Sequence, residues 1–409
     1  MAKGLLPVAD AQTALLDRVS ALPTEEVPTA QARDRVLARD LEALWDLPGR
    51  DVSIMDGWAV RAADLAPSSQ TPSVDLLPVA ESAAGHPSGV RLGPGQAVRI
   101  STGAIVPEGA DVVVPIEDTR LVDGRVRVDL DAYGAVTPGR FVRGRGSDVA
   151  QGERVLSAGT RLRPGALAAA VSCGHPSVHV HARPRVAVLS TGDELVPVGS
   201  TPALGQVVSA NGLMLAALVH EAGGTPIELG DVIDEEAPLA GALQEGLRAD
   251  VLITSGGISV GEHDLVHGAL ERLGARTVFR GVALQPGKPT TVLETEGCLV
   301  FALPGNPAST LVAFELFVRP VLRKMAGVRG DTRRPFVQVH LLAPVPGNAR
   351  REHYVRARRS AQGATPLRSQ LSGNLRSIAD FELLLRVPAG TSELPAGATC
   401  EALDVTGDG

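Results

Sequence analysis

DVLITSGGISVGEHD, residues 250–264, joins a short apolar, β-branched run to a loop of glycines, small hydroxyls and acids. LVHGALERL (265–273) follows at once with helical spacing of its apolar residues, so the segment reads as strand, loop, helix. The pattern recurs on both sides. Upstream, RVAVLS (185–190) runs into TGDE (191–194), then helix SANGLMLAALVHEAG (209–223), strand PIELG (226–230) and a helical stretch over 235–248. Downstream come TVFRGVAL (277–284), TTVLE (290–294) and CLVFAL (298–303), after which PGNPAS (304–309) opens a long apolar helix over 310–327. Apolar strands alternating with helices predict a parallel sheet covered on both faces, a three-layer α/β domain.

Further outward the character changes. Residues 8–22 show helical spacing through Ala11, Leu15, Leu16, Val19 and Leu22, and a second helix is expected from about Ala30 to Leu41. Residues 55–145 carry short β-like runs between Gly, Pro and Asp turns and predict a β-rich module. Residues 146–181 are mixed and end in the strand-like VHVHA. From 333 onward PFVQVHLLAP, EHYVRARR and FELLLRVPAG predict a compact all-β C-terminal domain. Two to four domains suit 409 residues.

Composition narrows the function. A net charge of −7 argues against an extended nucleic-acid or membrane-surface face, while leaving room for a small anionic ligand held by local cations. Cys173, Cys298 and Cys400 stand far apart with no CxxC, which disfavours a disulfide framework or thiolate zinc site. No basic-then-apolar start and no 18-residue apolar run are present, so the cytoplasm is expected. Among 39 basic residues only Lys3, Lys288 and Lys324 are lysines. A lysine kept in the Gly/Pro loop QPGKPT (285–290) suits a task needing a compact ammonium.

Ligands of open parallel sheets bind beyond the carboxyl ends of the strands, where TGDE, SGGISVGEHD, QPGKPT and LPGNPAST (303–310) lie. Ser255, Gly256 and Gly257 leave backbone N–H groups able to approach a phosphate, and Glu262 and Asp264 offer hard oxygen ligands for Mg²⁺. The same residues also suit a tight turn in which Asp264 caps the following helix. PGNPAST suits an anion-binding helix N-terminus, or plain punctuation between strand and helix. Asp193 and Glu194 suit a metal, or mere loop polarity. His263 is a weak acid/base candidate, and His179 and His181 read as structural. GxSxG, Walker-type and HExxH signatures are absent, which removes the usual support for hydrolase readings, as the missing GxGxxG does for a dinucleotide dehydrogenase.

Taken in order, STGDEL, SANG, ITSGGISVGEHD, QPGKPTT and ALPGNPAS, with SIMDGWAV (53–60) and STGAIVPEGADVVVPIED (101–118) upstream, the chain resembles the molybdopterin molybdenumtransferase family, which includes the E domain of gephyrin. The likeness runs from about residue 8 to 385. It implies an elongated homodimer with composite active sites and four domains per chain: a mixed domain from 1–54 and 146–181, a β-rich insert over 55–145, a molybdopterin-binding α/β domain over 182–326, and a C-terminal β-barrel over 333–409. Helix 8–22 is expected against the α/β domain. The implied reaction converts adenylylated molybdopterin and molybdate to molybdenum cofactor, AMP and water with a divalent cation. Contacts with the upstream adenylyltransferase and downstream molybdoenzymes are implied as well.

The resemblance assigns catalytic roles to Asp56, Thr102, Asp148, Glu194, Asp234, Asp264 and Lys288, with Glu194 and Asp264 holding Mg²⁺. It assigns substrate contacts to Ser255, Gly256, Gly257, Ser259 and Gly261, to Pro304, Gly305, Asn306 and Pro307, and more loosely to Arg356 and Ser372. Gln285 stands where the family often has Lys, and Trp58 where Tyr is usual. The dithiolene brings its own sulfur, so no catalytic Cys is required. Two other readings remain: an adenylyltransferase on the same α/β fold, against which the insert and C-terminal domain argue, and a non-enzymatic scaffold.

Overall fold

The computed structural model describes residues 4–65, 72–257 and 265–407. Ser259, Gly261 and Asp264, expected in the site, lie outside the described residues, as do Glu262 and His263.

Six strands form the central sheet: β1 (Arg185–Thr191), β2 (Thr225–Val232), β3 (Val251–Ser255), β4 (Arg276–Arg280), β5 (Thr291–Thr295) and β6 (Cys298–Leu303), in the order β2-β1-β3-β6-β5-β4. β2, β1, β3 and β6 are parallel. The all-parallel expectation is corrected at the other edge, where β5 runs antiparallel to both neighbours. Thr295 pairs with Cys298, so Glu296 and Gly297 close a two-residue hairpin, and a link that short joins only antiparallel strands. The chain winds outward in opposite directions from β1 and β3, which makes a switch point between their carboxyl ends.

Side chains alternate across this sheet. Val186, Val188, Ile253 and Phe301 face one core with α1 (Val8–Leu16) and α2 (Asn211–Glu221). Ala187, Leu189, Leu252 and Val300 face another with α3 (Glu236–Gly246) and α4 (Leu265–Arg272). The expected long helix after PGNP is broken into α5 (Pro307–Ala313), a π-helical turn (Phe314–Val318) and α6 (Arg319–Met325). Pro320 explains the break: it has no N–H for the carbonyl four residues back. That carbonyl, Leu316 O, instead accepts a 2.9 Å hydrogen bond from Gln12 Nε2 on α1. The same π turn buries Glu315, whose carboxylate receives Arg334 Nε at 2.5 Å and lies 3.8 Å from Arg319 Nε.

Two helix expectations need correction. The first helix ends at Leu16, although Val19 and Leu22 still pack on the same core. Residues 30–41 are not a helix. After a 3₁₀ turn at Thr29–Gln31, Val36 bridges Arg161 and Leu37 bridges Val180. Thr24–Pro28 likewise pairs with Ser177–His181, and Leu41–Glu42 with Arg154–Leu156. Between these returning segments lies a six-stranded sheet ordered Val112–Pro115, Gly57–Val60, Gln96–Ile100, Ser73–Ser82, Arg125–Asp129, Thr119–Val122.

The C-terminal part contains β7 (Phe336–His340), β8 (Glu352–Ser360), β9 (Gly363–Pro366), β10 (Leu383–Val387) and β11 (Thr399–Asp404), in the order β8-β10-β11-β7, with β9 on the other side of β8. Leu341 bridges Ala364 next to β9. Leu284–Gln285 pairs in parallel with Glu352–His353 of β8, which ties the QPGK segment to this sheet. No described helix is long and apolar enough to cross a membrane.

Candidate functional site at the switch point

Three loops converge where β1, β3 and β6 end. At the end of β1, buried Thr191 donates its hydroxyl to Asp234 Oδ1, and the Asp234 N–H donates to Asp193 Oδ1 at 3.0 Å. The Glu194 carboxylate folds back over Gly192, 2.6 Å from where a Cβ would sit. At the end of β3, Gly256 and Gly257 have φ of +99° and +61°. A Cβ on Gly256 would lie 2.0 Å from Thr191 O, so only glycine permits this passage. The Gly256 N–H donates to Leu303 O at 3.2 Å, which brings in the end of β6.

Asn211, first residue of α2, fastens the arrangement. Its Nδ2 donates to Ser255 Oγ at 2.8 Å and to Gly305 O at 2.7 Å. Its Oδ1 and the neighbouring Ser190 Oγ are buried with no hydrogen-bond partner in the protein. Beside them opens a cavity of about 480 Å³, lined by Glu194, Asn211, Ser255, Gly305 and Asn306 and by the apolar Leu195, Val207 and Leu375. Ser190, Thr191, Ser209 and Pro307 also face it. Polar atoms left unmet in a native interior call for an explanation, and a polar ligand supplies one.

Pro304 is buried below the cavity, where its carbonyl accepts the Thr310 hydroxyl. At the start of α5 the Ala308 N–H donates to Ser372 O at 3.1 Å. Ser372 thus closes the helix start, and the Ala308 amide is not free for an anion. Asp234 is one step back, held by Thr191 and Asp193. Among the described residues no group of three His, Cys, Asp or Glu converges on a metal site. Mg²⁺ needs no such group, since one or two carboxylates plus substrate phosphates suffice.

The remaining expected residues lie elsewhere. Lys288 is exposed, and its ammonium has no hydrogen bond or ion pair with any described residue. Gln285 Oε1 accepts Asn348 Nδ2 at 2.6 Å, so the residue that replaces the usual lysine serves as a link to the C-terminal sheet. Arg356 is fully buried there. It donates Nη2 to Leu371 O at 3.2 Å while Nε and Nη1 find no partner, and burial holds the guanidinium below its usual pKa. Asp56 and Thr102 do come together in the β-rich module, through a 2.7 Å bond from the Thr102 N–H to Asp56 Oδ1, and both are exposed. Asp148 is ion-paired with Arg143. None of these lines the cavity at the switch point. Burial pushes the Cys298 thiol up to about 12, which leaves it unreactive.

Asn211 is the residue that the sequence reading passed over. Its signal was present in SANG: an amide at the first turn of the helix that follows β1 must face the switch point.

Three family models cover most of the chain: the MoeA N-terminal region (domains I and II) over residues 6–174, a probable molybdopterin binding domain over 187–324, and the MoeA C-terminal region (domain IV) over 338–405. A molybdopterin molybdenumtransferase of Nostoc sp. is 38% identical over 383 residues, 91% of this chain and 87% of the relative. Molybdopterin molybdenumtransferase 2 of Mycobacterium tuberculosis is 36% identical, covering 98% of this chain and 99% of its own. The solved molybdopterin biosynthesis MoeA protein of Pyrococcus horikoshii superposes with a TM-score of 0.83 at 31% identity, over 98% of this chain and 99% of that one. Matched by all three family models in order and by these relatives over nearly its whole length, the chain belongs to the molybdopterin molybdenumtransferase family.

Proposed function

We propose that the protein is an enzyme that transfers molybdenum from molybdate to adenylylated molybdopterin, releasing AMP and water and leaving molybdenum cofactor. The observation that carries this reading is the switch-point cavity, where Glu194, Asn211 and Ser255 surround unmet polar atoms of the interior. Its part-apolar wall suits a flat ring, and its polar floor suits the heteroatoms of a pterin. Glu194, with Asp264 of the sequence segment that follows β3, would hold a divalent cation together with phosphate oxygens of the substrate. Such a cation would supply positive charge to stabilise the departing AMP. Thr191 and Asp193 hold Asp234 against the loop that carries Glu194. Lys288, an exposed ammonium unengaged among the described residues, would supply a point charge to the incoming anion from outside the cavity, while Arg356, bonded to Leu371 O, and Ser372, bonded to the Ala308 N–H, back the segment whose Gly373 and Leu375 line the cavity.

Asp56 and Thr102 complete the site from a second copy of the chain. In support, the exposed loops that carry them are joined by the bond from the Thr102 N–H to Asp56 Oδ1, and neither residue lines the cavity of its own chain. The domain limits proposed are 1–54 with 146–181, 55–145, 182–326 and 333–409. The pairing circuit from β8 through β10, β11 and β7 to the Leu341 bridge and β9 supports a small barrel for the last. Work in the cytoplasm, between the adenylyltransferase and the molybdoenzymes, follows from the substrates. The test is direct: purified protein, adenylylated molybdopterin, molybdate and Mg²⁺ should yield AMP with active cofactor. Consumption of ATP instead would identify an adenylyltransferase, and no turnover with intact binding would identify a scaffold.

A further inference from the structure

Two polar atoms in the wall of the switch-point cavity are left unmet by the fold. Ser190 on β1 stands directly across from Ser255 on β3. It shares the sheet face of Val186 and Val188, which α2 covers. Ser190 is 2% exposed, and its Oγ has no hydrogen-bond partner among the described residues. This Oγ lies 3.3 Å from where a Cβ on Gly212 would sit, so it touches the first turn of α2 beside Asn211. Asn211 Oδ1 is buried and unpartnered in the same way. Both residues line the cavity.

The amide of Asn211 cannot be turned over. Its N–H groups are spent on Ser255 Oγ and on Gly305 O, and a main-chain carbonyl can only accept. Oδ1 is therefore fixed as a pure acceptor, whereas Ser190 Oγ can both donate and accept. Each such group, buried and unmet, costs stability. The links that fasten the site use the amide N–H groups alone, so neither unmet atom serves them. The chemistry of the pair then selects a ligand. An ionised phosphate brings only acceptors, and those would oppose Asn211 Oδ1. The start of a helix at a switch point ordinarily suits an anion. Here the first side chain of α2 turns one away. What fits is a ring edge with an N–H donor next to a second polar atom. The pyrimidinone edge of a pterin has that pattern, its amino and ring N–H groups lying beside a carbonyl.

We propose that Ser190 and Asn211 are specificity-determining residues of the cavity, and that they read the N–H edge of the pterin ring. The inference rests on the molybdopterin reading given above. It adds an orientation: the ring edge lies against β1 and the start of α2, and phosphate is excluded from that wall.

The test needs no turnover, so it stands apart from the assay for AMP and cofactor. Ser190→Ala removes the hydroxyl without breaking any side-chain hydrogen bond of the described residues. Free of ligand, the variant should melt about 1–3 °C above wild type, because an unmet buried group is gone. Neopterin, a pterin with neither phosphate nor dithiolene, is the probe, followed by its fluorescence. Ser190→Ala should weaken its binding roughly threefold to tenfold. Dimethyllumazine methylated on both pyrimidine nitrogens keeps the fused ring but has no N–H, and it should bind wild type at least about tenfold more weakly than neopterin. The proposal is overturned if Ser190→Ala melts below wild type, since the hydroxyl would then serve the fold. It is equally overturned if neopterin does not bind at millimolar concentration, if Ser190→Ala binds it unchanged, or if dimethyllumazine binds as well. Displacement of neopterin by AMP with the same dependence on Ser190 would give the wall to adenine and overturn it too. An enzyme that forms AMP and cofactor but fails these tests keeps the transfer reading and loses this wall. A protein that passes them but releases no AMP keeps the wall and loses the transfer.

Discussion

At Gly256 a methyl group has nowhere to go. The Cβ of Gly256→Ala would lie 2.0 Å from a backbone carbonyl, at a φ of +99°. The expected cost is about 2–4 kcal/mol, read as a lowered thermal midpoint. A midpoint within a degree of wild type would mean that the two loops are not held together as described. Gln285 leads to a different expectation. Its amide is engaged by Asn348, which also accepts the N–H groups of Arg350 and Arg351. Gln285→Lys should therefore lose about 0.5–1.5 kcal/mol of stability without tightening anion binding. Tighter molybdate binding in that variant would show that the missing cation matters more than the link. Sequence alone showed Gln285 as a gap in a motif. Its partner lies 63 positions away, and no local pattern reports that.

Among the elements, strands and helices of the α/β part were legible because their apolar runs are long and periodic. Residues 30–41 were not. Val36, Leu37 and Leu41 fit a helical face, yet their bridges reach Arg161 and Val180, and pairings so distant in the chain leave no local period. The antiparallel edge was missed for a smaller reason: Glu296-Gly297 was not read as a hairpin turn. The π turn yields a prediction. Gln12→Ala leaves Leu316 O without its donor, at a cost of about 1–3 kcal/mol, measured by denaturant titration. An unchanged midpoint would show that the carbonyl is satisfied otherwise. On β8, buried His353 has its pKa lowered by desolvation, and its Nδ1 lies 2.9 Å from Pro346 O. The unfolded chain then binds the proton more readily than the folded one. This contribution is fully present above about 6.5 and is lost as pH falls below it toward the lower folded value. His353→Gln should flatten that stretch of the stability profile, and an equally steep profile would assign it to other groups.

At the scale of the whole molecule, the loops of the candidate site were readable because each carries its own small-residue signature, while their convergence depends on strand order. The β-rich module raises the question of which chain it serves. If Asp56 and Thr102 act on a partner's cavity, then Asp56→Asn and Asp234→Asn proteins, each nearly inactive, should regain activity when mixed and allowed to exchange subunits. One of the two clefts in a mixed dimer would carry neither lesion. Verified mixed dimers as inactive as their parents would place both residues in the site of a single chain.

The hydrogen bond from Gln12 to Leu316 spans 304 positions, and Val8, Ala11 and Leu15 share their core with Val312, Phe317 and Leu322. A ribosome adding roughly 5–20 residues per second needs about 15–60 s to deliver that partner surface. Throughout that interval the apolar stripe of α1 has no place to dock. The α/β part therefore cannot mature as the chain emerges, and its first helix waits for nearly its last.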